Sequence, residues 1–189
     1  HVAGALSLED AVRVIVVRSR CLASLLVGGQ MAMVGVDPTE AEALVRGRES
    51  LVSVAVSNAR SSTVLSGDPG AIEEILREVT ARGVYAKRVD VDAASHSPQI
   101  DEVLGALREG LAEIRPVSSS VPILSTVDAA PRDGARLDPE YWCANMRRAV
   151  RFFTNSRLNA ITVPSVAIAR AMSARPASTR KSFARNAPT

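Results

Sequence analysis

The chain has 189 residues, 47% apolar and 23% charged, which suits the core of one ordinary domain and excludes a disordered or collagen-like chain. The net charge of +3 is uneven: residues 151–189 hold seven basic and no acidic side chains, while 1–150 sum to −4, so a nucleic-acid-binding body is not implied. No apolar run approaches the roughly eighteen residues of a spanning helix, the start lacks a signal-peptide pattern, and Cys21 and Cys143 cannot build a disulfide framework. A cytoplasmic protein with reduced thiols and no membrane partner is the expectation.

In chain order, the spacing predicts a helix over 7–26, with Ser7 as N-cap, Asp10 three residues on, and an inner stripe of Leu8, Ala11, Val12, Ile15, Leu22 and Leu26. After Gly28-Gly29, residues 31–36 read as a strand. Asp37-Pro38-Thr39-Glu40 then opens a short helix to about Arg46. Residues 51–57 and 62–67 read as paired strands joined by a hairpin loop at Asn58–Ser61. Asp68-Pro69 opens a helix with Ile72, Ile75, Leu76 and Val79 inside, ended by Gly83, and 84–91 is a further strand. This β-α-β-β-α-β order is that of a ferredoxin-like unit. Ser97-Pro98 starts a helix to about Ile114 with a regular stripe from Ile100 to Ile114. Residues 121–127 suit a buried strand, Pro131–Gly134 a turn, and Asp138-Pro139 the start of a last helix carrying Tyr141, Trp142 and Met146. Beyond Phe153 the periodicity decays, and the tail reads as disordered.

Two residues stand out chemically. Arg18 has Val14, Ile15, Cys21, Leu22 and Leu25 as helical neighbours, so its guanidinium must snorkel, pair with an acid, or bind an anion from a ligand. His96 precedes a helix start, whose positive end favours the neutral imidazole. It is either a base or a loop histidine without a task. Asn58 is a turn residue that could also line a pocket. No cluster has metal-ligand spacing, and neither a P-loop nor G-x-G-x-x-G occurs.

The segments HVAGALSLEDAVRVIVVRSR, GGQMAMVGV, SVAVSNARSSTVLSGDPGAIEEIL, KRVDVDAASHSPQI, VPILSTV and YWCANMRRAVRF, in this order and spacing, resemble the acyltransferase domain of a type I polyketide synthase. Such domains are similar to the malonyl-CoA:acyl-carrier-protein transacylases of fatty-acid synthesis. The resemblance covers about residues 1–153. It implies an α/β fold: a partial α/β-hydrolase-like subdomain from 1–30 and 92–153 and a ferredoxin-like α+β insert at 31–91; residues 154–189, a basic tail by composition, fall outside it. It also implies no bound cofactor. An acyl-CoA, malonyl or methylmalonyl, is the donor, and the phosphopantetheine thiol of an acyl carrier protein is the acceptor. That carrier and the other synthase domains are the implied partners.

By the same resemblance His96 is the general base that activates a serine, and Arg18 holds the extender carboxylate by a bidentate pair. The four residues ending at the histidine track extender choice, Tyr-Ala-Ser-His in methylmalonyl-type domains and His-Ala-Phe-His in malonyl-type ones. Here they are Ala93-Ala94-Ser95-His96. Small Ser95 favours methylmalonyl, while Ala93 departs from both patterns. The family's nucleophile lies in a Gly-His-Ser-x-Gly elbow expected just before His1, and no G-x-S-x-G occurs within the 189 residues. The expectation is therefore a truncated domain, inactive alone, with a frameshift or break after Phe153. The alternative expectations are a non-catalytic module that docks a carrier protein or complements a serine-bearing chain, and, less favoured by the charge pattern, a nucleic-acid binder using the tail.

Overall fold

The computed structural model describes residues 1–25, 28–91 and 94–153. The expected tail lies outside them. The first element, α1 (Leu8–Ser24), starts as its sequence predicts, with Ser7 Oγ accepting from the Asp10 N–H at 3.0 Å. Its buried face is another matter. Val14 and Cys21 are buried and Ala11, Val17, Leu22 and Leu25 pack beside them, whereas Leu8, Val12 and Ile15 are 63%, 50% and 65% exposed. The helix carries two apolar stripes, and periodicity does not say which one the rest of the chain covers.

A sheet follows, built from β1 (Gln30–Val34), α2 (Pro38–Val45), β2 (Val52–Ala59), β3 (Ser62–Gly67), α3 (Pro69–Ala81) and β4 (Ala86–Val89). The helices open as their sequences dictate: Asp37 Oδ1 accepts from the Glu40 N–H at 2.8 Å, and Asp68 Oδ1 from the Ala71 N–H at 3.0 Å, each with proline next in line. The strand order is β4-β1-β3-β2, all antiparallel. Alternation along β1 sends Ala32 and Val34 into the core under α2 and α3, with Val52, Leu65, Ile72, Ile75 and Val79. Met31 points to the opposite face with Ala55 and Val64. The β2–β3 hairpin is tighter than expected. Its strands reach Ala59 and restart at Ser62, which puts Asn58 in β2 rather than in the loop.

The expected helix over 98–114 is two pieces, a 3-10 turn (Pro98–Val103) and α4 (Leu104–Gly110). Ser97 Oγ takes the N–H of Gln99, two residues on, which suits the tighter winding. The stripe nevertheless buries as read: Ile100, Val103, Leu107, Leu111 and Ile114 join α1 and α5 (Pro139–Arg147) in a second core with Cys143 and Met146. Residues 121–127 do not make one buried strand. β5 (Ile123–Ser125) pairs with β6 (Ala130–Arg132) in a two-stranded ribbon, with Val121 and Leu124 exposed, and a 3-10 turn follows at Gly134–Arg136. β7 (Val150–Arg151) was not foreseen. It adds parallel to β2 at the edge of the sheet, tying the end of α5 to it. No helix among the described residues is long and apolar enough to cross a membrane.

Candidate active site

His96 sits where the chain leaves β4 and enters the 3-10 turn. Ser97 Oγ donates to the Ala94 carbonyl at 2.7 Å, closing a tight loop that turns the histidine inward. His96 adopts φ +61°, a left-handed conformation that costs a side-chain-bearing residue roughly 1–2 kcal/mol. Two contacts with the end of α5 hold it there. Its backbone N–H donates to the Met146 carbonyl at 3.2 Å, and its Nδ1 lies 2.8 Å from the Arg148 carbonyl oxygen. A carbonyl only accepts, so Nδ1 carries the proton of the neutral ring and Nε2 keeps its lone pair. The side chain is buried. Burial lowers its pKa below the ordinary 6.5, the Arg148 carbonyl acts the other way, and the charge of Arg18 lowers it further. The neutral ring expected from a helix terminus is instead favoured by burial and Arg18, since only a six-residue 3-10 turn follows.

Arg18 lies on the covered side of α1, beside α5. Its Nη1 donates to Asn145 Oδ1 at 2.6 Å. Burial lowers its pKa, and nearby Tyr141 opposes that. Among the described residues no carboxylate pairs with it, in contrast to Arg13, which meets Glu113 at 2.8 Å. α5 is thus the scaffold for both residues. Its start is fixed by Asp138, whose Oδ1 accepts from the Tyr141 N–H at 2.8 Å.

His96 borders a cleft of about 400 Å³ between β2 and the α5–β7 link, lined also by Ser53, Val54, Val127, Asp128, Arg147, Arg148, Ala149 and Arg151. Arg147 is paired with Asp101 at 2.7 Å. Among the described residues Arg148 and Arg151 have no acid partner, so the mouth favours an anionic ligand. Asp128 is bound by Arg132 at 2.5 Å, and that guanidinium lies 5.0 Å from the centre of the Tyr141 ring. Neither Arg18, Ser95 nor Asn58 lines this cleft. Ser95 is half-buried and its Oγ faces Met31 Sδ at 3.9 Å; Asn58 is exposed on β2; Ala93 lies outside the described residues. Sequence reasoning missed Asn145, Arg148 and Asp128. Arg148 acts through its carbonyl, which carries no residue-type signal. Among the described residues no three His, Cys, Asp or Glu side chains gather to hold a metal.

A close approach supports the histidine from behind. A Cβ on Gly29 would stand 2.5 Å from Ala94 Cβ and closer still to the Ala94 backbone nitrogen, so only glycine lets this strand entry pack against the segment before His96.

The model of the acyl transferase domain family matches residues 1–177. It therefore runs past residue 153, where the likeness read from the sequence stops. The spectinabilin polyketide synthase system protein NorA' of Streptomyces orinoci is 45% identical over 152 residues, covering 80% of this chain and 4% of that protein. Erythronolide synthase EryA2 of Saccharopolyspora erythraea is 42% identical over 152 residues, covering 80% and 4%. The chain thus spans only a small part of these curated relatives. Among solved structures, the acyltransferase domain from module 8 of the salinomycin polyketide synthase superposes with a TM-score of 0.78 at 39% identity, covering 80% of this chain and 36% of that one. A loading acyltransferase from the avermectin modular polyketide synthase gives 0.74 at 33% identity, covering 80% and 49%. The mixed α/β fold and the match along most of the sequence agree: the chain belongs to the acyl transferase domain family, as an acyltransferase domain of the type I polyketide synthase kind.

Proposed function

We propose that this chain contributes the base and the carboxylate-binding arginine to a site that moves a malonyl-type extender from coenzyme A to the phosphopantetheine thiol of an acyl carrier protein. One observation carries the reading. The end of α5 holds both groups: the Arg148 carbonyl fixes His96 through Nδ1 at 2.8 Å and leaves Nε2 free, while Asn145 Oδ1 takes Arg18 Nη1 at 2.6 Å, and among the described residues Arg18 has no acidic partner. His96 Nε2 takes the proton of a serine hydroxyl as that oxygen attacks the thioester carbonyl, then returns it to the departing coenzyme A sulfur. In the second half the carrier thiol loses its proton to His96 as it attacks the acyl-serine ester, and the serine oxygen regains it. Arg18 holds the extender's free carboxylate through parallel N–H donors. No G-x-S-x-G elbow occurs within these 189 residues; we read the serine as lying outside them, and the chain by itself as binding extender without forming an acyl-enzyme.

Ser95, small and beside the base, leaves room for an α-methyl group and favours methylmalonyl over malonyl. We read residues 31–91 as a ferredoxin-like insert in the larger subdomain of 1–30 and 92–153; the strand order β4-β1-β3-β2 supports this. A second reading, a docking module that complements a serine-bearing chain, is favoured by the exposed Leu8, Val12 and Ile15 on α1.

The test is equilibrium binding of methylmalonyl-CoA and propionyl-CoA, which differ by the carboxylate, to the full chain. The expected result is a preference for methylmalonyl-CoA that Arg18→Ala removes. Equal affinity for the two thioesters, or a preference that survives Arg18→Ala, contradicts the reading.

A further inference from the structure

We propose that Asn145 is a positioning residue, whose side-chain oxygen fixes the Arg18 guanidinium while leaving its charge free for an anionic acyl group. The proposal rests on the reading of Arg18 as the carboxylate holder. The contact is short, 2.6 Å from Nη1 to Oδ1, and joins α1 to α5 across 127 residues of sequence. Its chemistry is selective. An asparagine oxygen accepts one N–H and orients the guanidinium plane without adding net charge, whereas an aspartate in the same place would neutralise it. A guanidinium has five N–H donors, so one fixed donor still leaves a fork for a carboxylate. Burial makes an uncompensated charge costly, and asparagine is a poor helix former in the body of α5. A residue costly on both counts is explained if the charge must stay available.

The placement also couples the two functional groups. Asn145 and Arg148 are three residues apart, one turn of α5 and its cap. The first holds Arg18 by its side chain and the second holds His96 by its carbonyl. One rigid turn therefore sets where the acid-binding group and the base stand relative to each other, the geometry that oriented attack needs.

The test uses the full chain and its Asn145→Ala, Asn145→Asp and Arg18→Ala variants, titrated with methylmalonyl-CoA and with propionyl-CoA. The His96 pKa is followed by NMR of its imidazole protons. Asn145→Ala is expected to weaken methylmalonyl-CoA binding about tenfold, the scale of one hydrogen bond to a charged group, and to leave propionyl-CoA binding unchanged. Asn145→Asp, nearly isosteric, is expected to weaken methylmalonyl-CoA at least as much. It should also raise the His96 pKa, because pairing cancels the Arg18 charge that opposes protonation. The other charged side chains around the His96 cleft, Asp128, Arg147, Arg148 and Arg151, are unchanged in both variants.

An unchanged ratio of the two affinities in the Asn145 variants overturns the proposal, whether both affinities hold or both fall together. If Asn145→Ala does not fold, the aspartate variant decides alone. If Arg18→Ala also leaves the ratio unchanged, the carboxylate-binding reading fails and takes the proposal with it. If Arg18→Ala abolishes the preference while the Asn145 variants keep it, only the positioning role fails.

Discussion

The Nδ1 of His96 stands 2.8 Å from the carbonyl oxygen of Arg148, 52 residues further along the chain. This single bond sets the tautomer of the ring, aims Nε2 away from α5, and ties the end of that helix to the proposed base. A backbone acceptor is a stable choice, because it cannot change charge or rotamer with pH.

The depressed pKa of His96 makes stability depend on pH. Above the ordinary histidine value of 6.5 the ring is neutral in both folded and unfolded chains and contributes no slope. As the pH falls below 6.5 the unfolded chain binds the proton first, so the fold loses stability until the folded-state ring is protonated as well. The melting temperature is expected to fall over this window, and His96→Gln, which can still donate to the Arg148 carbonyl, to flatten the fall. An identical slope in the variant contradicts the assignment.

Glycine substitutions separate packing from propensity. Gly29→Ala forces a Cβ into the Ala94 backbone and is expected to cost about 1–3 kcal/mol, as overpacking does. Gly105→Ala, with nothing within 4 Å and in α4, is expected to stabilise by about 0.5 kcal/mol. Chemical denaturation of the two variants checks both signs.

Asp138 supports the site from the far end of α5. Asp138→Ala removes the acceptor of the Tyr141 N–H and is expected to cost about 1 kcal/mol. Since α5 carries Asn145 and its C-cap supplies the Arg148 carbonyl, the same variant should broaden the His96 imidazole resonances as the helix frays. Sharp, unshifted resonances would show that the helix start does not bear on the site.

Extender choice is expected to turn on Ser95. In Ser95→Phe a ring crowds the space for the α-methyl group, at a cost of about 1–3 kcal/mol. The ratio of methylmalonyl-CoA to malonyl-CoA affinity should fall about tenfold or more. A ratio that stays at the wild-type value removes Ser95 from the selectivity account.

What could be read from the sequence divides by range. Ser7, Asp37, Asp68 and Asp138 cap the helices they precede, because capping is decided within three residues. The Ile72, Ile75 and Val79 stripe faces the core for the same local reason. α1 misled because Leu8, Val12 and Ile15 are as apolar as the stripe that is covered. β7 is two residues long and pairs with β2 almost a hundred residues earlier, too brief for any period to show. In the site, Arg18 and His96 were visible as oddities of type and neighbourhood. Their partners on α5 were not, since one contact spans 127 residues and the other uses a backbone carbonyl.

The most direct test of the account is acyl transfer through this chain's own base. Residues 1–153 would replace the matching stretch of the salinomycin module 8 acyltransferase domain, of which this chain covers 36%, so that the rest of that domain completes the fold, and acylated carrier protein would be followed by mass spectrometry with methylmalonyl-CoA as donor. The account predicts transfer by the chimera and its loss, by a factor of about 10² or more, in His96→Ala. Transfer that persists undiminished in His96→Ala would contradict the role of the histidine and with it the central claim.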